Sequence, residues 1–147
     1  MKPLYEYFSD KENIRIIDLR RIIYFIIFLA FFALTEIGRN IYRPFIYQNH
    51  INDFRIADTI GNSLGIIVQI FFMLFIINST KKKSYFVVAF LSIGYVVYEI
   101  LQIVLPRKMF DINDVYATFV GGVIGLMILL IIHKLVKRNK IFYTINK

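Results

Sequence analysis

Four stretches of about 20 mostly apolar residues, parted by short charged segments, constrain this chain more than anything else in it. They run roughly over 22–42, 59–77, 84–105 and 115–133. A soluble core needs no helix that is apolar for so long, whereas each crossing of a bilayer does. With 147 residues, 58% of them hydrophobic, the chain has room for four spans and little else. The expected fold is therefore all-α, with four transmembrane helices. Residues 1–21 form an interfacial segment, 22–133 one membrane domain, and 134–147 a basic tail.

The first stretch is long, sits behind about 20 residues of mixed charge and lacks a small-x-small cleavage site, so it is expected to stay as an anchor. Ahead of it, Leu4, Tyr5, Tyr7 and Phe8 suit the headgroup region, and Ser9 or Asp10 can cap a short leading helix. There are no cysteines, which removes disulfides, thiol nucleophiles and thiolate metal sites.

The formal net charge of +8 leaves nucleic acid or anionic lipid open as a partner, and its distribution decides for lipid. Lys2, Lys11, Arg15, Arg20 and Arg21 precede the first span. Lys81, Lys82 and Lys83 lie between the second and third, and Lys134, Lys137, Arg138, Lys140 and Lys147 follow the fourth. These are 13 of the 18 cations, all on one side, which should face the cytoplasm with both termini. The opposite side holds Arg39, Arg43, Arg55, Arg107 and Lys108 with six of the ten acids.

That opposite side carries the chemistry. Glu36, Arg39 and Arg43 stand three and four residues apart, so all three share one face of the first helix, which Pro44 stops. Asp58, Asn62, Gly65 and Gln69 form a polar or small stripe along the second span. The third span ends in Glu99 and Gln102, Pro106 and Arg107 follow, and the fourth opens with Asp111, Asp114 and Thr118. Glycines four apart, Gly61 with Gly65 and Gly121 with Gly125, allow close helix packing.

Residues 54–77 laid over 110–133 pair Phe54 with Phe110, Asp58 with Asp114, Asn62 with Thr118 and Gly65 with Gly121. Glu36 and Glu99, and Pro44 and Pro106, fall into the same correspondence. The pattern reads as two parallel helical-hairpin repeats whose outer loops share one face.

Two readings of the polar cluster stand side by side. It is a clamp on four helix ends, or a pocket for a headgroup, sugar or peptide, with arginines suited to phosphate or carboxylate. No metal or other cofactor is expected, since arginines compete for the carboxylates. Catalysis has little support, because no serine or threonine neighbours His50 or His133 and no phosphate-cradling loop appears.

The run Glu99-x-x-Gln102, Arg107, Asp111-Ile-Asn-Asp114, Thr118, Gly121, Gly122 and Gly125 resembles the VanZ-like family of small bacterial membrane proteins. Asn62 and Gly65 are similar to an earlier N-x-x-x-F-x-P-x-G segment of that family. Thr118 stands where the family has asparagine, and Ile66, Ile67, Val68 and Gln69 stand where it has F-x-P-x. The resemblance implies a non-enzymatic envelope protein, linked through the namesake to tolerance of teicoplanin-type lipoglycopeptides. The implied partner is a membrane lipid or a lipid-anchored drug. An enzyme acting on a lipid-linked phosphate or sugar, and an accessory subunit in a homo-oligomer or with a partner protein, are the alternatives.

Overall fold

A computed structural model of the protein describes residues 18–104 and 110–136. Helix α1 is Leu19–Ile37, and a five-residue π-helical turn, Gly38–Tyr42, joins it to α2, Arg43–Gln48. Then come α3 (Ile56–Ile77), α4 (Lys81–Leu101) and α5 (Ile112–Leu135). Among the described residues there is no strand. The continuous rod Leu19–Gln48 and helices α3, α4 and α5 are each long and apolar enough to cross a membrane. At 1.5 Å per residue, even 21 residues reach about 32 Å, the thickness of a hydrocarbon core.

Local chemistry sets the helix ends. The Asp18 carboxylate accepts from the Arg21 backbone N–H at 2.9 Å and so caps α1. Asp111 does the same for α5 through the Asn113 N–H at 2.9 Å. Helix α3 has no side-chain cap from its left-handed leading residue, Arg55 (φ 66°). Asp53 substitutes, accepting from the backbone N–H groups of Arg55 and Ala57 at 3.1 and 2.7 Å. Asn78 (φ 45°) closes α3 in the left-handed region, which asparagine tolerates, and α4 starts three residues later. The three lysines expected in a loop therefore form the first turn of α4.

Pro44 does not stop the first span, contrary to the expectation from its position in the sequence. The π turn directly before it already breaks the regular ladder, the Arg43 N–H bonding back to Gly38. Proline then falls in the first turn of α2, where a missing N–H and a fixed φ do little harm. The helix runs on to Gln48, and only then do His50, Phe54 and Arg55, all at positive φ, turn the chain back.

Helix α3 is the centre of the bundle. It packs against α1 and α5, and α4 packs mainly on α5. Its Ile66, Ile67, Ile70, Phe71 and Leu74 are fully buried. Aromatic pairs zip it to α1, with Phe75 on Phe25 at 4.9 Å, Phe72 on Phe28 at 5.1 Å and Phe71 on Tyr24 at 6.0 Å. On the other flank, a Cβ on Gly121 would collide with the Ser63 carbonyl and Ile66, and one on Gly125 would meet Ile70 at 2.9 Å. Gly121, facing backbone, is the position that requires glycine for α5 to lie this close. Large side chains such as Ile26, Phe119 and Met127 point outward, a surface suited to lipid rather than water.

Helices α1 and α4 both lean on α3 but barely touch one another. The C-terminal ends of these two and the N-terminal ends of α3 and α5 meet at one end of the bundle. At the other end the Tyr24 hydroxyl meets His133 Nε2 at 2.9 Å, and the Tyr85 ring stands edge-on to that imidazole.

Candidate functional site

The gap between α1 and α4 is a cavity of about 270 Å³. Helix α1 and the π turn bring Phe32, Thr35, Glu36 and Arg39 to it, while α3 supplies a floor of Asn62, Gly65 and Gln69. Helix α4 adds Tyr95, Tyr98 and Glu99, and α5 adds Thr118. Of the residues singled out from sequence, Glu36, Arg39, Gly61, Asn62, Gly65, Glu99 and Thr118 thus share one space.

The π turn decides which arginine goes where. In a regular helix, Glu36, Arg39 and Arg43 would share a face. A π turn holds about one extra residue, rotating the helix beyond it by about 100°. Arg39 stays with the cavity and lies over Gly61, where a Cβ would sit 3.3 Å from its Nε. Among the described residues it forms no ion pair. Glu36 is held by Asn40, four residues on, whose Nδ2 donates to Oε2 at 2.9 Å. Arg43 swings outward to Asp58, Nη2 to Oδ1 at 3.5 Å. The turn is placed by packing: Gly38 is buried, and a Cβ there would be 2.7 Å from Ile60.

Glu99 is 6% exposed and accepts a hydrogen bond from Gln102 Nε2. Thr118 is 1% exposed, and its hydroxyl has no hydrogen-bond partner. A buried hydroxyl left unpaired costs on the order of 1–3 kcal/mol. This one lines a polar cavity, where a bound group would relieve it. Gly65, expected at a helix contact, has nothing within 4 Å of where a Cβ would be, and instead opens the floor.

The remaining polar residues form a second tier above the cavity. Tyr47 joins Arg43 to Asp58, its hydroxyl donating to the carboxylate and accepting from Arg43 Nε at 3.2 Å. Asp114 lies beside Asn62 and in the field of Asp58 and Arg43. Arg55 and Asp111 make an exposed pair at 4.0 Å. Hydrogen bonds from the Asn113 backbone and side chain, with Arg55 nearby, hold the Asp111 carboxyl below its ordinary range. Solvent screens these exposed pairs, so they contribute little to stability. Among the described residues no group of three acids or histidines is arranged to hold a metal. Arg107 lies outside the described residues, as do Ser9 and Asp10.

A model of the VanZ/LLP1 family matches residues 6–133. The chain belongs to that family. No curated protein and no solved structure matches it. In this VanZ/LLP1 chain, the acid, glutamine and threonine of the Glu99-to-Gly125 run are the ones gathered at the carboxylate end of the bundle. Tyr47, Tyr95, Tyr98 and Asn40 are the site residues that sequence reasoning missed. Tyr95, Tyr98 and Glu99 are spaced three and four apart on one helix face, so their shared lining was readable in principle. Tyr47 and Asn40 follow Arg43 and Glu36 by four, the same signal.

Proposed function

We propose that this is a non-enzymatic protein of the bacterial plasma membrane that engages a lipid or a lipid-anchored antimicrobial at its outer face. In this reading residues 22–133 cross the bilayer four times, with both termini in the cytoplasm and the Glu36–Glu99 cavity under the outer leaflet. The lysine distribution supports the orientation. The two hairpins are read as copies, and the pairs Glu36 with Glu99 and Asn62 with Thr118, lining one cavity, support that. Tolerance to teicoplanin-type drugs results if the cavity holds a drug's anchor or a lipid that the drug needs.

The observation that carries this reading is the buried, unpartnered Thr118 hydroxyl in a cavity that offers both carboxylates and a guanidinium. A clamp would satisfy its own polar groups, as the second tier of Arg43, Tyr47 and Asp58 does. Binding is therefore assigned to the lower tier and clamping to the upper.

Two measurements test it. Deleting the protein should raise susceptibility to teicoplanin, and unchanged susceptibility rejects the tolerance role. On intact cells an impermeant thiol reagent should label a cysteine placed at Asn52 and not one at Lys82. The reverse pattern rejects the orientation.

A further inference from the structure

A second space adjoins the polar cavity. It is a groove of about 490 Å³ along one face of α4, lined by Phe90, Leu91, Gly94, Tyr95 and Tyr98. Tyr95 and Tyr98 line both spaces, so the two adjoin at this pair of rings. Gly94 has nothing within 4 Å of a Cβ position, which leaves the groove floor open. Phe32 and Tyr98, each about half exposed, stand on opposite walls of the α1–α4 gap. An amphiphile thus finds a polar chamber and an apolar channel side by side, joined by residues that are themselves apolar with a polar tip.

The charges narrow the head. The chamber is lined by the Arg39 guanidinium and, one turn before it on α1, the Glu36 carboxylate, with Glu99 on the facing helix. Arg39, with no ion pair to a described residue, suits a phosphate, which a guanidinium binds bidentately. A second negative group would meet the Glu36 carboxylate, whose hydrogen-bond partner Asn40 is neutral, whereas an ammonium would complement it. Thr118 can serve either group, as its hydroxyl both donates and accepts.

We propose that cavity and groove form one bipartite site for a phospholipid with an amine in its head. The phosphate lies on Arg39, the ammonium faces Glu36, and one acyl chain lies in the Phe90–Tyr98 groove. This rests on the lipid-engaging reading of the protein and adds the ligand's chemical class and its pose.

The test uses the full chain in a maltoside detergent with a cysteine introduced as Gly94→Cys, unique because the sequence has none. Its alkylation rate reads groove occupancy. Dioctanoylphosphatidylethanolamine should slow alkylation. Glycerophosphoethanolamine, which has the head alone, and dioctanoylglycerol, which has the chains alone, should each need at least about tenfold higher concentration. In the same background Arg39→Gln and Thr118→Val should each weaken protection about tenfold, the loss of one charge-assisted or buried hydrogen bond. Arg39→Lys should keep part of it. Equal protection by dioctanoylglycerol, or no effect of Arg39→Gln, overturns the proposal. Protection by teicoplanin without protection by the phospholipid also overturns it, while leaving the drug-engaging reading intact. Protection as expected, in a protein whose deletion does not alter drug susceptibility, upholds the lipid site and rejects only the tolerance role.

Discussion

Adding one methyl group at each of three glycines should separate the helix contacts from the cavity. At Gly121 the added carbon collides with the Ser63 carbonyl, which is backbone held within α3 and cannot rotate away. Helix α5 must retreat, and overpacking of this kind costs about 1–3 kcal/mol. At Gly125 the clash is with Ile70 Cδ1, the far end of a flexible side chain, so Gly125→Ala should cost less. At Gly65 nothing lies within 4 Å, and alanine relieves the entropic cost of a helical glycine, a gain of roughly 0.5–1 kcal/mol. Gly121→Ala and Gly65→Ala should therefore differ by roughly 1.5–4 kcal/mol with opposite signs. Reversible unfolding in mixed micelles, followed by loss of helical circular dichroism, gives the difference directly. If Gly65→Ala destabilises as much as Gly121→Ala, the assignment of Gly121 to packing and Gly65 to open space is wrong.

Three further outcomes rest on single contacts. Tyr24→Phe should destabilise by about 1 kcal/mol in the same assay, because it removes the part-buried hydrogen bond to His133 Nε2 beside an Nδ1 that already has no partner. Tyr47→Phe removes the exposed link between Arg43 and Asp58 and should cost under about 1 kcal/mol, leaving the cavity and any ligand protection unchanged. The Asp111 carboxyl is held low by its bonds from Asn113, so its contribution is fully present above its unfolded pKa and disappears as pH falls through the folded one. Unfolding measured from neutral into acid pH should show that loss, and Asp111→Asn should remove it.

The four spans were legible because lipid demands long apolar helices and the chain writes them plainly between charged segments. Much of the cavity was legible too. Glu99 at the end of α4, Asn62 nearly two turns into α3 and Thr118 nearly two turns into α5 converge because the helix ends do. The split of the polar cluster into two tiers was not legible. It depends on a π turn whose buried Gly38 packs against Ile60, a tertiary contact with no periodic trace in the sequence. Pro44 was read as a stop for the same reason: the widened turn before it, which makes it harmless, is invisible locally. Tyr95 and Tyr98 share a helix face with Glu99, and the gap between α1 and α4 makes that face a lining.

The central claim is that the lower tier binds and the upper tier clamps. The most direct measurement is teicoplanin susceptibility of cells producing Thr118→Val or Glu99→Gln, compared with Tyr47→Phe, at matched levels of protein in the membrane. Protection should be lost in the first two and kept in the third. Equal protection in all three contradicts the claim.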